Sequence, residues 1–588
     1  VTHPEASARQ RGRTALRVLL TGLWALVASP AAAQEAAAPA ASGETTPPAT
    51  TTPAPVRAPE LVLRPEDLAR APDGAWHTPG LRLPAIPDAA PIVDPAADAP
   101  GLRLLRSLAA RGRIAGFEGL LYDNRDRGHS RLSRALFPRM THLRYDEALR
   151  AQNADYGLAG LIRHPAIVLG NSSTAFTRGD APRSQSRFAM TSAVAAQASA
   201  RLYFANHLYV YPEHRDYDAV DLFPANWPYH VISQGSSYSD RPFLEALAAT
   251  MAAFPPDTRA AMAARGLVAP TLQMILRRNL AFVRTEAHYL SGPAHRPVLG
   301  AGALRPARMV AHANGLGPGD IPPLAELSVT RETFADAAGL AGMSERLFTT
   351  PAAIARVWRG FSGTQEMEVA AAAAVPEGSP PARFTWVLLQ GDPARVQIAP
   401  LDARGTRARI TVHWHDAITL PGRPGAEGRR SARVDIGVFA HTPQADGSRG
   451  APGAPSILSV SFPLHQLRDY GPQTGAGTRP SRLRSVDYDA QGRGARFDPV
   501  LHWSAPWRDA PVYDAAGAIT GWQRSYSDLA RPDSRAAADQ TYWRSRGDGG
   551  VVLSDVPPPK QVPEKAPEEA AEEAPQAPPG DPAPTAQP

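Results

Sequence analysis

Four short polar segments in the first half of the chain carry residue types that can do chemistry, and each follows an apolar run. The segment Asp123-Asn124-Arg125-Asp126-Arg127-Gly128-His129-Ser130 comes directly after Phe117 to Tyr122. Two carboxylates, a glycine turn and a histidine are the parts of a divalent-metal site or of an acid–base pair. The acids do not alternate as a calcium loop requires. A solvated, ion-paired loop has the same composition. Ala166 to Ser173 and His230 to Ser237 both run from an apolar stretch into a Gly/Ser turn, which presents Ser172 and Ser236. A serine between a strand and a helix is how a nucleophile elbow is built, and such turns also aim backbone N–H groups at anions. The turn Gly235 to Ser239 lacks the second glycine of G-x-S-x-G, and Ser or Asp before a helix is also ordinary capping chemistry. The fourth segment, Tyr211 to Asp218 and on to Asp221, sets Glu213 and His214 among further carboxylates.

Two chemistries can be written on these residues. In a serine version, Ser236 attacks an acyl or glycosyl-linked ester, His214 accepts its proton, and turn amides stabilise the oxyanion. In a metal version, Asp123, His129 and His214 hold a divalent cation that activates water. Asp126, Ser172 and Glu213 complete the candidate set. The competing reading is a non-catalytic binding protein, in which these loops are dispersed and aromatic residues near the C-terminus meet the ligand.

The elements that must position the segments are short. Phe117 to Tyr122, Ala166 to Leu169, Leu208 to Tyr211 and Tyr229 to Ile232 read as strands. Between them lie helical stretches: Met190 to Ala205, then Phe243, Leu247, Met251 and Phe254 at helical spacing behind Asp240 as N-cap, then Asp257 to Arg265 closed by Gly266. Strands alternating with helices predict an α/β or α+β domain over 65–330. In open sheets of this kind ligands gather at the carboxyl ends of strands, where all four polar turns are placed.

From 364 to 465 alternation replaces helical spacing. Glu366 to Ala374, Arg383 to Leu389, Arg395 to Ile398, Arg407 to His413, Arg433 to Phe439 and Ser456 to Phe462 read as strands between Gly/Pro turns. On Pro376-Glu377-Gly378, Phe384-Thr385-Trp386 and Ala408 to Val412, this stretch resembles the PKD/immunoglobulin-like family of bacterial surface proteins. The resemblance covers about a sixth of the chain. It implies an all-β sandwich with Trp386 buried between its sheets. Residues 331–363 read as a helical connection to it. His413 and His415 share a strand face beside Asp416, but a third zinc ligand at suitable spacing is missing. In 466–553, Trp503, Trp507, Tyr513, Trp522, Tyr526, Tyr542 and Trp543 cluster around a hairpin turning near Ala515 to Gly517. Exposed on a β-surface, such rings would stack on carbohydrate; packed together they are a small core.

Composition narrows the classes. The 588 residues include no cysteine, which excludes disulfides, thiolate metal sites and cysteine nucleophiles. The net charge is +6, yet of 62 basic residues only Lys560 and Lys565 are lysines, and no short run concentrates the arginines as a nucleic-acid-binding arm would. Nucleic acid is therefore not expected as a partner. Arg9, Arg11, Arg13 and Arg17, the apolar Val18 to Ala28 and the small residues Ala31-Ala32-Ala33 read as a signal peptide over 1–33. An Ala/Pro/Thr-rich linker follows at 34–64, and 554–588 form a Pro/Glu-rich disordered tail. No later stretch is apolar for long enough to span a membrane. The expectation is an exported, periplasmic or extracellular protein. It would bind carbohydrate or a cell-envelope polymer, with a hydrolase as the alternative, and no cofactor can be named.

Overall fold

In a computed structural model of the chain, the described residues are 58–87, 89–158, 162–173, 193–214, 217, 220–340, 342–420, 428–443, 450–463, 466–471, 482–488, 507–526, 540–547 and 550–554. The expected signal peptide, most of the linker, the tail and Trp503 lie outside them.

Seven parallel strands form the first sheet: β1 (Glu60–Leu63), β2 (Leu120–Asn124), β3 (Thr141–Tyr145), β4 (Ile167–Asn171), β5 (His207–Pro212), β6 (His230–Ser233) and β7 (Val298–Leu299). Their order across the sheet is β1-β3-β2-β4-β5-β6-β7. β2, β4, β5 and β6 are buried along their whole length. Parallel strands lie under helices on both faces, so they read as apolar runs instead of alternating ones. β1 falls within the stretch expected to be linker. Its Glu60-Leu61-Val62-Leu63 run is long enough to pair with β3, register Leu61 to Leu143.

Among the described residues six helices of nine residues or more accompany this sheet: α1 (Pro100–Ala110), α2 (Ala193–Phe204), α3 (Arg241–Ala253), α4 (Pro256–Ala264), α5 (Val268–Arg278) and α6 (Pro306–Asn314). α3 starts behind Asp240, but the Asp240 side chain makes no capping bond. It turns into the sheet instead, as described below. α4 ends where expected, with Gly266 in the left-handed region at φ +66. A Cβ there would meet the Phe204 carbonyl oxygen at 2.4 Å.

From residue 326 onward every helix or strand element among the described residues is a strand. A four-stranded sheet is built from β8 (Glu326–Glu332), β11 (Thr364–Ala372), β14 (Arg407–His413) and β13 (Val396–Pro400), all antiparallel. A five-stranded sheet is built from β9 (Arg346–Thr350), β10 (Ala353–Val357), β16 (Pro455–Ser461), β15 (Arg433–His441) and β12 (Arg383–Gln390). Its one parallel pair is β10 with β16. Leu327, Met367, Val369, Ile410 and Val412 from the first sheet share a core with Ile354, Val434, Ile436, Leu458 and Val460 from the second.

Two expectations need correction here. Residues 331–363 are not a helical connection. Arg346 to Thr350 and Ala353 to Val357 pair as a hairpin around Pro351-Ala352, where proline stops a helix and Thr349, Thr350, Ile354 and Val357 favour strands. Trp386 is only half-buried and donates from Nε1 to the Gly405 carbonyl at 2.8 Å. Between these two sheets the fully buried tryptophan is Trp358, stacked on Phe462 at 5.3 Å and edge-on to Trp414 at 5.7 Å.

β15 and β16 are buried along their whole length because the five-stranded sheet is covered on both faces. One face meets the other sheet. On the other, Phe348, Ala353, Leu389, Phe439 and Ile457 join the core of the α/β half. A final antiparallel sheet runs in chain order through β17 (Leu467–Tyr470), β18 (Leu483–Asp487), β19 (Trp507–Tyr513), β20 (Ile519–Tyr526), β21 (Gln540–Gly547) and β22 (Gly550–Ser554). The expected hairpin joins β19 to β20, with Gly517 at φ +86 in its turn. Trp522 is buried against Phe361 at 4.5 Å and is closed to any sugar.

Trp358→Ala is expected to cost about 3–5 kcal/mol in denaturant unfolding and Trp386→Ala less than about 2, because only the first leaves a closed cavity. The reverse ranking would contradict this packing.

Candidate functional site

The strand order places a crevice at one point. From β2 the chain passes to β3 on one side, and from β4 it passes to β5 on the other. β2 and β4 are neighbours, so their outgoing loops part, and ligands of open α/β sheets bind at such a divergence. The loops after β2, β4, β5 and β6 carry every candidate residue except Asp123, which lies within β2 itself.

Beneath the crevice lies a closed polar network. Asp123, at the end of β2, is fully buried and accepts hydrogen bonds from Tyr145 Oη at 2.9 Å and Tyr209 Oη at 2.7 Å. Arg125 Nη1 donates to Tyr145 Oη at 2.8 Å, and its Nε donates to the Gly157 carbonyl at 2.7 Å. Burial raises both phenols well above the usual tyrosine range, so they remain donors. Tyr209 reaches Asp123 across Gly170, which stands between them in register. A Cβ at 170 would lie 2.3 Å from the Tyr209 ring. Glycine is required there by close approach, and its backbone is ordinary.

The opposite face of the sheet carries a second network. Tyr122 Oη donates to Asn171 Oδ1 at 2.7 Å, and Asn171 Nδ2 donates to Asp240 Oδ2 at 2.8 Å. Ser130 Oγ donates to the other Asp240 oxygen. Burial chiefly raises the Asp240 pKa, and the bonds from Ser130 and Asn171 oppose it. Asn124 Nδ2 donates to the His129 carbonyl at 3.0 Å, and Asn124 Oδ1 receives the Gly128 amide at 2.7 Å. The loop after β2 is therefore fixed at both ends.

On that base stands a carboxylate–imidazole pair. Asp126 is buried; its Oδ2 is 2.9 Å from His129 Nδ1, and its Oδ1 accepts from Ser173 Oγ at 2.6 Å. The His129 side chain is 35% exposed, and its Nε2 bonds to no described residue. Tyr238 packs on the imidazole with ring centroids 4.6 Å apart.

The other candidates serve as clamps. Ser172 Oγ donates to the Arg125 carbonyl at 2.9 Å. Glu213 is buried and accepts from the Gly235 amide at 2.9 Å and the Tyr217 amide at 3.0 Å, tying the loop after β5 to the loop after β6. The His214 amide donates to the Gly235 carbonyl at 2.9 Å, and its Nε2 donates to the Ser173 carbonyl. Ser236 is exposed in a turn bounded by Gly235 at φ +123 and Tyr238 at φ +71. The amides of Ser236 and Ser237 donate to no described residue.

Asp126 and His129 are thus joined directly, and Ser172, Glu213 and His214 lace the neighbouring loops together. No hydrogen bond joins His214 to Ser236 among the described residues. Nor do any three His, Asp or Glu of the described residues converge as a metal would require. Asp123, the first ligand of the metal version, is committed to two tyrosines instead.

Of the six non-glycine residues with positive φ among the described residues, four lie in these loops: Arg127, Ser130, His214 and Tyr238. For a residue as bulky as Tyr238 this conformation is strained, and such strain gathers at functional sites. Sequence reading missed Ser173, Asn171, Arg125, Tyr209 and Tyr238. One signal was available: Gly170 inside an apolar strand marks a close approach. Away from this site, His413 bonds Thr364 Oγ1 at 2.9 Å and His415 bonds the His413 carbonyl at 3.0 Å.

Comparison with known proteins finds no matching family model and no matching curated relative.

Gly170→Ala is expected to push Tyr209 off Asp123 and to cost about 2–4 kcal/mol in chemical denaturation. A cost under about 0.5 kcal/mol would mean that Tyr209 is free to move and that Asp123 does not depend on it.

Proposed function

We propose that the chain is an exported, periplasmic or extracellular hydrolase acting on ester bonds at the crevice between β2 and β4. The observation that carries this reading is Asp126, buried and bonded to Nδ1 of an imidazole whose Nε2 is left open. That is the orienting half of a general-base arrangement. Ser236 is the nucleophile of the reading, offered by the strained turn whose Tyr238 covers His129. Its Oγ attacks the acyl carbon and its proton passes to His129 Nε2. The open amides of Ser236 and Ser237 receive the oxyanion. His129 then protonates the departing alcohol, and water releases the acyl group by the same route. His214 is a positioning residue here, because its Nε2 is engaged by the Ser173 carbonyl. Export rests on the pattern of residues 1–33. The PKD/immunoglobulin-like resemblance of 364–465 is kept as part of the proposal, supported by two sheets that share one core.

A fluorophosphonate probe should label the wild-type protein at Ser236, and Ser236→Ala should abolish labelling. His129→Ala should slow it about a hundredfold or more, as loss of a general base does. Absence of labelling in wild type, or labelling unchanged by His129→Ala, would overturn the assignment.

A further inference from the structure

Beside the crevice, over the ends of β1, β3 and β2, a cavity of about 340 Å³ is lined by five arginines, Arg127, Arg131, Arg134, Arg144 and Arg150, against two carboxylates, Glu60 and Asp155. The proposed ester chemistry does not use it. Its wall has a division of labour that the sheet imposes. Tyr122 and His142 face each other in register on β2 and β3 and form its buried floor, with rings 4.9 Å apart. Arg127, Arg131, Arg144 and Arg150 are exposed at its rim.

The charges do not balance. Glu60 serves two guanidiniums at once, Arg144 at 2.7 Å and Arg134 on its other oxygen. Asp155 faces Arg150 at 3.5 Å. Among the described residues Arg127 meets only neutral groups, the Asn153 side chain and the Tyr156 ring at 4.9 Å. Arg131 lies over Gly128, where a Cβ would sit 2.5 Å from its Nη2, and it has no hydrogen-bond or ion-pair partner among the described residues.

The floor carries a second, independent sign of a missing ligand. His142 is 2% exposed, and its Nε2 is buried without a hydrogen-bond partner. A buried polar atom left unpaired costs free energy that a ligand returns. Burial, with Arg134 and Arg131 nearby, lowers the His142 pKa to about 3, so the ring is neutral and one of its nitrogens can donate.

From this cluster we infer that the cavity binds a small phosphate monoester. Planar guanidinium forks pair with phosphate oxygens two at a time. The lining holds three more guanidiniums than carboxylates, and a dianion answers Arg127 and Arg131 together where a monocarboxylate would answer one. The volume leaves room for the alcohol portion of the ester above the His142 floor.

The test is calorimetric titration of the full chain with inorganic phosphate, glycerol 3-phosphate and acetate. Glycerol 3-phosphate should bind saturably and more tightly than inorganic phosphate, and acetate should not bind. Arg131→Ala, at an exposed position outside the core, should weaken binding by about tenfold or more, and Arg131→Lys should recover only part of it because the fork is lost. Ser236→Ala should bind normally, which separates this site from the ester chemistry. Absence of saturable binding, equal affinity for acetate, or binding unchanged by Arg131→Ala would each overturn the inference.

Discussion

Asp123 and Arg125 are both shut off from water at the end of one central strand, 4.0 Å apart, and much of the α/β half is arranged to satisfy them. Removing one member of such a pair leaves the other buried and uncompensated, a loss of about 3–5 kcal/mol. Tyr145 from the neighbouring β3 and Tyr209 from β5, one strand further across, close the network, and Tyr209 is admitted only because position 170 has no side chain. With Arg125 pinned, the chain must turn directly after it, and Asp126 and His129 project from that turn. The site above is a consequence of the charge buried below.

The all-β half bears on the same loops. Arg429 stacks on the Tyr217 ring at 3.5 Å, and its Nε donates to the Tyr217 carbonyl. The Tyr217 amide holds Glu213, and Glu213 holds the turn that carries Ser236. A few residues on, Arg433 pairs with Asp221 at 2.7 Å and with Asp435 at 2.8 Å, while the Asn226 amide donates to Ser459 Oγ at 2.9 Å. The loop after β5 is therefore braced from the five-stranded sheet. That sheet is a structural partner of the site, built into the same core, and differs in this from an accessory module joined by a linker.

How much of this was legible follows from which interactions are local. The strands before each polar turn could be read because parallel strands leave apolar runs, and the turns themselves are short. Asp126 and His129, three residues apart, could be named together. Ser173 could not be joined to them, since its partner lies 47 positions away. Asp123 passed for a ligand because a sequence does not show that Tyr145 and Tyr209 will consume it. Trp386 and Trp358 sit in similar surroundings in the sequence; which one is buried depends on Phe334, Trp414 and Phe462, which close over Trp358 from distant positions between the two sheets. β15 reads as a mixed strand although every residue in it is buried, because its second face is covered by residues from the α/β half.

A buried carboxylate fixes the His129 ring with Nδ1 bonded and Nε2 open among the described residues. Long-range proton–nitrogen NMR of selectively labelled histidine reads this directly, at a pH where the ring is neutral. His129 is expected as the Nδ1–H tautomer, converting to a mixture in Asp126→Asn. An Nε2–H tautomer in the wild-type protein, or a tautomer unchanged by Asp126→Asn, would contradict it.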